Sequence, residues 1–168
     1  MLSIRCLVVT AALLILAGCS QEKAGQIEAD LRGALPAMTV YKQPSCGCCG
    51  EWVEHVREKG FQAQVQNRKN MAQVKTKFGI QPEYQSCHTA IVGEYVFEGH
   101  IPAHAIAQFL ENPPQNAIGL AVPGMPVGSP GMEMGDRFDE YDVLLLKDDG
   151  SSEMYLHVSS PVAVDDLN

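Results

Sequence analysis

The chain has 168 residues, 46% of them hydrophobic and 19% charged, with 15 Gly, 10 Pro and 6 Cys. That is enough chain to bury a core without metal or disulfide staples, and too apolar a composition for a disordered segment. Twelve basic against twenty acidic residues give a formal charge of −8; nucleic-acid binders carry a basic face, so no nucleic-acid partner is expected.

Arg5 supplies a positive start, and Leu7 to Ala17 is apolar apart from Thr10. As a helix this run spans only about 16 Å, well short of the ~30 Å hydrocarbon core, so it reads as a secretory signal rather than a membrane span. Leu16-Ala17-Gly18-Cys19 resembles a bacterial lipoprotein signal. That resemblance implies a signal peptide over 1–18, cleavage before Cys19 and lipidation of Cys19. Acyl chains would then hold the protein on a membrane in the periplasm, with Ser20 favouring the outer one. Simple secretion, with Cys19 merely near the cut, is the alternative. Residues 19–36 read as a tether and 37–168 as one domain.

Met38 to Lys42 is rich in β-branched and aromatic residues and reads as a first strand. Pro44 to Gly50 reads as a turn, and Glu51 to Lys59 as a short helix with Trp52, Val53 and Val56 on one face and Gly60 as its stop. Phe61 to Gln66 alternates apolar and polar, the pattern of a strand with one buried face. Asn70 with Gln73 signals a helix start; Met71, Val74 and Phe78 follow, closed by Gly79. Thr89–Val92 and Tyr95–Glu98 flank Gly93-Glu94, predicting a hairpin with a II′ turn. Pro102 predicts a further helix beginning at that residue, carrying Ile106, Phe109 and Leu110 inward until Pro113-Pro114. Ala117 to Val122 is apolar, residues 123–135 form a Pro/Gly/Met loop, and 142–147 and 153–158 make a last hairpin around Asp148-Asp149-Gly150.

The order β-α-β-α-β-β-α is that of a thioredoxin-like α/β fold, here with an added Met/Pro/Gly loop and a C-terminal β-hairpin. Cys46-x-x-Cys49 sits at the first strand-to-helix turn, where the redox pair of such folds belongs. Thiols at a helix N-terminus lose protons easily. A redox pair needs two of them, and Cys46, Cys48 and Cys49 are three. Thiolates that bridge several small soft ions use such crowding, and soft sulfur donors select Cu(I) or Zn(II), of which Cu(I) is the softer. Thioredoxins place a proline just before the third strand; this chain has none between 83 and 101 and offers Cys87 and His88 instead. Exported thiols form disulfides, hold metal or cycle between states, and these readings stay open on the residues alone.

Tyr41-Lys-x-Pro-x-Cys-Gly-Cys-Cys49, Cys87-His-Thr-Ala90, Glu98-Gly-His-Ile-Pro102 and the run Gly119 to Glu133 together resemble the CopG-type periplasmic copper-resistance family, over about residues 38 to 134. The resemblance implies a thioredoxin-like domain binding a cluster of copper ions in copper resistance or copper redox conversion, alongside other periplasmic copper-handling proteins. It places the family's cysteines at Cys46, Cys48, Cys49 and Cys87. His88 and His100 are candidate nitrogen donors beside them. Met125 and Met132, with Met134 a weaker third, offer soft thioethers above the site, or else pack their loop. His55, His104 and His157 read as surface histidines and Trp52 as core or site wall. The rival function is a thiol-disulfide oxidoreductase acting through Cys46 and Cys49; a disulfide-stapled binding module is the blandest alternative.

Overall fold

The computed structural model describes residues 35–161. The expected signal peptide, the expected lipidation site at Cys19 and all but the end of the expected tether lie outside the described residues. Among the described residues no helix is long and apolar enough to cross a membrane.

A seven-stranded sheet is built from β1 (Ala37–Lys42), β2 (Gln62–Asn67), β3 (Thr89–Val92), β4 (Tyr95–Glu98), β5 (Ala117–Ala121), β6 (Tyr141–Lys147) and β7 (Ser152–Val158), in the order β2-β1-β3-β4-β5-β6-β7. The helices are α1 (Gly47–Glu58), α2 (Met71–Lys77) and α3 (Ala103–Glu111). β1 runs parallel to β2 and antiparallel to β3, and β4 runs antiparallel to β3. This is the thioredoxin-like arrangement. The apolar stretch after α3 becomes β5, which lies parallel to β4 and carries the β6–β7 hairpin onto the far edge.

Helices α1 and α2 end where glycine lets them. Past α1, Gly60 takes φ 96°, its N–H reaches Arg57 O at 2.9 Å and the Phe61 N–H reaches Val56 O at 3.0 Å. α2 repeats the pattern, with Gly79 bonded to Thr76 O and Ile80 to Lys75 O. Both are Schellman closures, in which the left-handed residue turns the chain back over the last carbonyls. Alternation along the strands then divides the apolar residues. Met38, Val40, Phe97, Leu120 and Leu145 join Trp52, Val56, Ile106 and Phe109 in the main core, while Val96, Ala121 and Leu146 meet Ile80 in a smaller one.

Three local expectations need correction. α1 starts at Gly47, four residues before Glu51: the Cys46 sulfur caps it, although glycine and cysteine form helices poorly. Pro102 is the N-cap of α3, which begins at Ala103, rather than its first helical residue. β2 begins at Gln62 and buries only Ala63, leaving Val65 39% exposed. It is an edge strand, paired on one side alone. The hairpin turn holds: Gly93 has φ 58° and Glu94 is not among the residues of positive φ, as a II′ turn requires.

Candidate metal centre

The β1-to-α1 turn delivers three cysteines at once. Cys46 is the N-cap of α1, extended at φ −75°, ψ 101°, and its sulfur accepts the Cys49 N–H at 3.3 Å, as a serine oxygen does in other helices. Cys48 and Cys49 therefore occupy the first turn. Cys46 and Cys49 are joined by a disulfide with Cα atoms 5.4 Å apart, and Cys48 Sγ lies 3.6 Å from Cys46 Sγ. Cys87, just ahead of β3, comes to the same place from across the sheet. The four sulfurs of Cys46, Cys48, Cys49 and Cys87 lie within 4.8 Å of one another.

Cys87 also belongs to a second group. Its Sγ is 3.2 Å from His88 Nδ1 and 3.0 Å from His100 Nε2, and these three donors again fall within 4.8 Å of one another. Both histidines are fully buried. His100 Nδ1 donates to the Pro130 carbonyl at 2.7 Å, so the neutral ring must keep its proton there and turn a lone pair toward Cys87. Backbone carbonyls orient metal-ligating imidazoles in this way. Burial holds His100 below the ordinary histidine range against the Pro130 carbonyl and Glu133. It holds His88 well below that range, helped by His100, Lys75 and Lys42. Both rings thus stay in the neutral form that binds metal. His88 Nε2 is buried without a hydrogen bond, although the Gly99 backbone lies close enough to favour its protonation slightly. His88 packs against Trp52 with centroids 4.3 Å apart and the rings tilted by 44°, and the indole N–H is anchored on Ile101 O at 2.8 Å. Burial, followed by the charge of Cys48, pushes the Cys87 thiol up to about 12. A metal ion must therefore displace that proton to bind.

The Pro/Gly/Met loop closes over this corner. Beyond the Pro130 contact, Gly131 presses so close to α1 that a Cβ there would stand 2.6 Å from Trp52 N and 2.8 Å from Cys48 O. Gly124 bridges to Ser86, next to Cys87. Met125, the neighbour of Gly124, is 53% exposed, as is Met134, and Met132 is half-buried. The structure thus brings together the four cysteines and two histidines that the sequence singled out, and sets the methionines on the loop beside them.

His55 differs from expectation. It is half-buried rather than a surface group, and its Nε2 accepts the Ala103 N–H at 3.1 Å. It caps α3, because Pro102 has no side chain able to do so. His157 is exposed between Asp142 and Glu140, as expected of a surface residue. The sequence reading missed buried Lys42, Lys75 and Glu98. A carboxylate closing a strand that is otherwise apolar on both faces was the available signal for Glu98.

Two solved structures match this chain over most of its length. One, called copper resistance protein CopG form 1, is 39% identical, with 73% of this chain and 97% of that one covered and a TM-score of 0.69. The other, form 2, is 38% identical, covering 74% and 99%, with a TM-score of 0.70. The chain belongs to the CopG copper-resistance family. A family model described as a protein of unknown function, DUF411, matches residues 84–132, the stretch running from Cys87 through His100 to Met132. No curated protein matches the chain. The share of this CopG-family chain that is covered exceeds the stretch 38 to 134 that carries its motifs, so the likeness reaches beyond them.

Proposed function

We propose that this protein is an exported copper-binding protein of copper resistance, holding Cu(I) as cargo, several ions at a time, on Cys46, Cys48, Cys49 and Cys87. His88 and His100 supply nitrogen donors, and Met125 and Met132 supply thioethers above the sulfurs. The names of the related structures and the donor chemistry support this reading, since crowded thiolates and neutral imidazoles are what a soft monovalent copper ion selects. The observation that carries it is Cys87, shared between an all-sulfur group and a group with two imidazoles. Such a shared thiolate bridges neighbouring ions. The amino-terminal lipoprotein signal supports a periplasmic site of action, anchored through Cys19 and served by other periplasmic copper-handling proteins.

The test is to load the full chain, reduced under anaerobic conditions, with Cu(I), dialyse it against a modest chelator and count the copper by elemental analysis. Retention of more than one ion, reduced by Cys87→Ser, is expected. A protein that gives up its copper overturns the reading.

The Cys46–Cys49 disulfide favours a second reading, thiol-disulfide oxidoreductase activity. Forming that bond releases two electrons and two protons, enough to reduce two Cu(II) ions or one substrate disulfide. Exchange with a protein substrate would survive Cys48→Ser and Cys87→Ser, whereas either change would lower the copper count or the affinity for copper.

A further inference from the structure

The motif Glu98-Gly-His-Ile-Pro102 contributes more than His100. Glu98 faces Thr89 across the β3–β4 pair and is fully buried. Its Oε1 accepts the Ser86 backbone N–H at 2.6 Å and is ion-paired with the Lys75 ammonium; its Oε2 accepts the Thr89 hydroxyl at 2.6 Å. Lys75, 4% exposed, donates also to Thr89 Oγ1 at 3.4 Å. One carboxylate thus grips the chain on both sides of Cys87-His88, at Ser86 and at Thr89. The Gly99 N–H on His88 O, at 3.0 Å, holds the residue between them.

The same anchor reaches the loop. The Ser86 hydroxyl donates to Gly124 O, and the Gly124 N–H reaches Gln85 O at 3.2 Å. Gly99 makes room for it: at φ 81°, a Cβ there would stand 2.6 Å from Ser86 Cβ and 2.5 Å from Val122 O. Burying an ion pair is costly, and an apolar pair of similar volume often stabilises a fold as well. What an apolar pair does not supply is a fixed set of acceptors aimed at Ser86 and Thr89.

We propose that Glu98, with Lys75 as its counter-charge, is the positioning residue of the metal centre, fixing Cys87 and His88 against the α1 cysteines. This rests on the reading that Cys87 and His88 hold copper. The test compares the full chain with a Lys75→Met/Glu98→Leu double variant, which leaves no unpaired buried charge, and with Thr89→Val, which removes only the hydroxyl and its bonds to Glu98 and Lys75. In metal-free protein with its disulfide intact, the ratio of Cys87 to Cys48 alkylation, resolved by peptide mapping, reports the placement of Cys87 without any copper. The ratio is expected to rise in the double variant and, to a lesser degree, in Thr89→Val. Cu(I) affinity of the double variant should fall by about 10–100-fold, the usual cost of losing an outer partner of a metal ligand, with a changed Cu(I)–thiolate absorption. A folded double variant with the wild-type ratio and affinity overturns the proposal; if that variant does not fold, an unchanged ratio in Thr89→Val does so. Failure of the wild-type chain to retain Cu(I) overturns the functional reading alone, because the alkylation ratio still decides the role of Glu98.

Discussion

Cys87 Sγ and His100 Nε2 lie 3.0 Å apart because the Pro130 carbonyl takes the proton on the other side of the imidazole. The loop therefore decides which nitrogen faces the sulfur. Replacing His100 with Leu keeps much of the buried volume and removes the donor. Cu(I) affinity, measured by competition with a colorimetric chelator, should fall at least as far as for an outer-partner change, about tenfold or more. Unaltered affinity in a folded His100→Leu protein would exclude His100 from the site.

Gly131 is where that loop meets α1. Alanine there must accept φ 81° and also collide with the backbone at Trp52 and Cys48, so strain and overpacking together should cost about 3 kcal/mol in urea denaturation. Gly150 is the control: its φ is 83°, but an added Cβ would meet only Gln81 Nε2, at 3.7 Å. Gly150→Ala should cost about 1 kcal/mol, the strain alone. Equal losses at the two glycines would mean that loop–helix contact adds nothing.

Much of this site was legible because its donors sit beside strong local signals. Cys46 to Cys49 occupy a strand-to-helix turn, Cys87 and His88 stand directly before a strand of four apolar or β-branched residues, and His100 lies between a strand and a proline-led helix. Each signal depends on a few consecutive residues. What escaped depends on partners distant in sequence. Glu98 and Lys75 are 23 residues apart, and nothing in either strand or helix periodicity pairs them. His55 lies off the Trp52–Val56 stripe of α1, which predicts a ring facing solvent, yet the start of α3 comes to meet it there. The early start of α1 escaped too, since a cysteine N-cap followed by two glycines within four residues looks like a turn until the sulfur is seen to accept the Cys49 N–H.

The cap on α3 gives a pH dependence. Burial, opposed chiefly by Glu133, holds His55 below the ordinary 6.5, while Lys59 and His104 lower it further and Glu58 raises it. As pH falls, the unfolded chain takes up this proton before the folded one, so stability is intact above about 6.5 and drains away below it. A protonated ring also has no lone pair left for the Ala103 N–H. His55→Leu should therefore cost about 1 kcal/mol near neutral pH, the worth of a capping bond, and progressively less toward pH 5. Thermal melts of the metal-free pair across that range provide the check. A penalty that does not shrink on acidification would show that the bond to Ala103 does not carry it.

Cys48 and Cys87 make unequal contributions. Cys48 belongs only to the all-sulfur group, whereas Cys87 belongs to both groups. Cys48→Ser should leave Cys87, His88 and His100 able to keep copper, giving a lower metal count and a larger share of nitrogen among the ligands. Cys87→Ser breaks both groups and should lose more copper than Cys48→Ser. Elemental analysis gives the counts, and X-ray absorption at the copper edge gives the nitrogen-to-sulfur ratio. The reverse ranking would place the bridging thiolate on the α1 turn, and would leave His88, against Trp52, and His100, against His88, as packing rather than donors to copper.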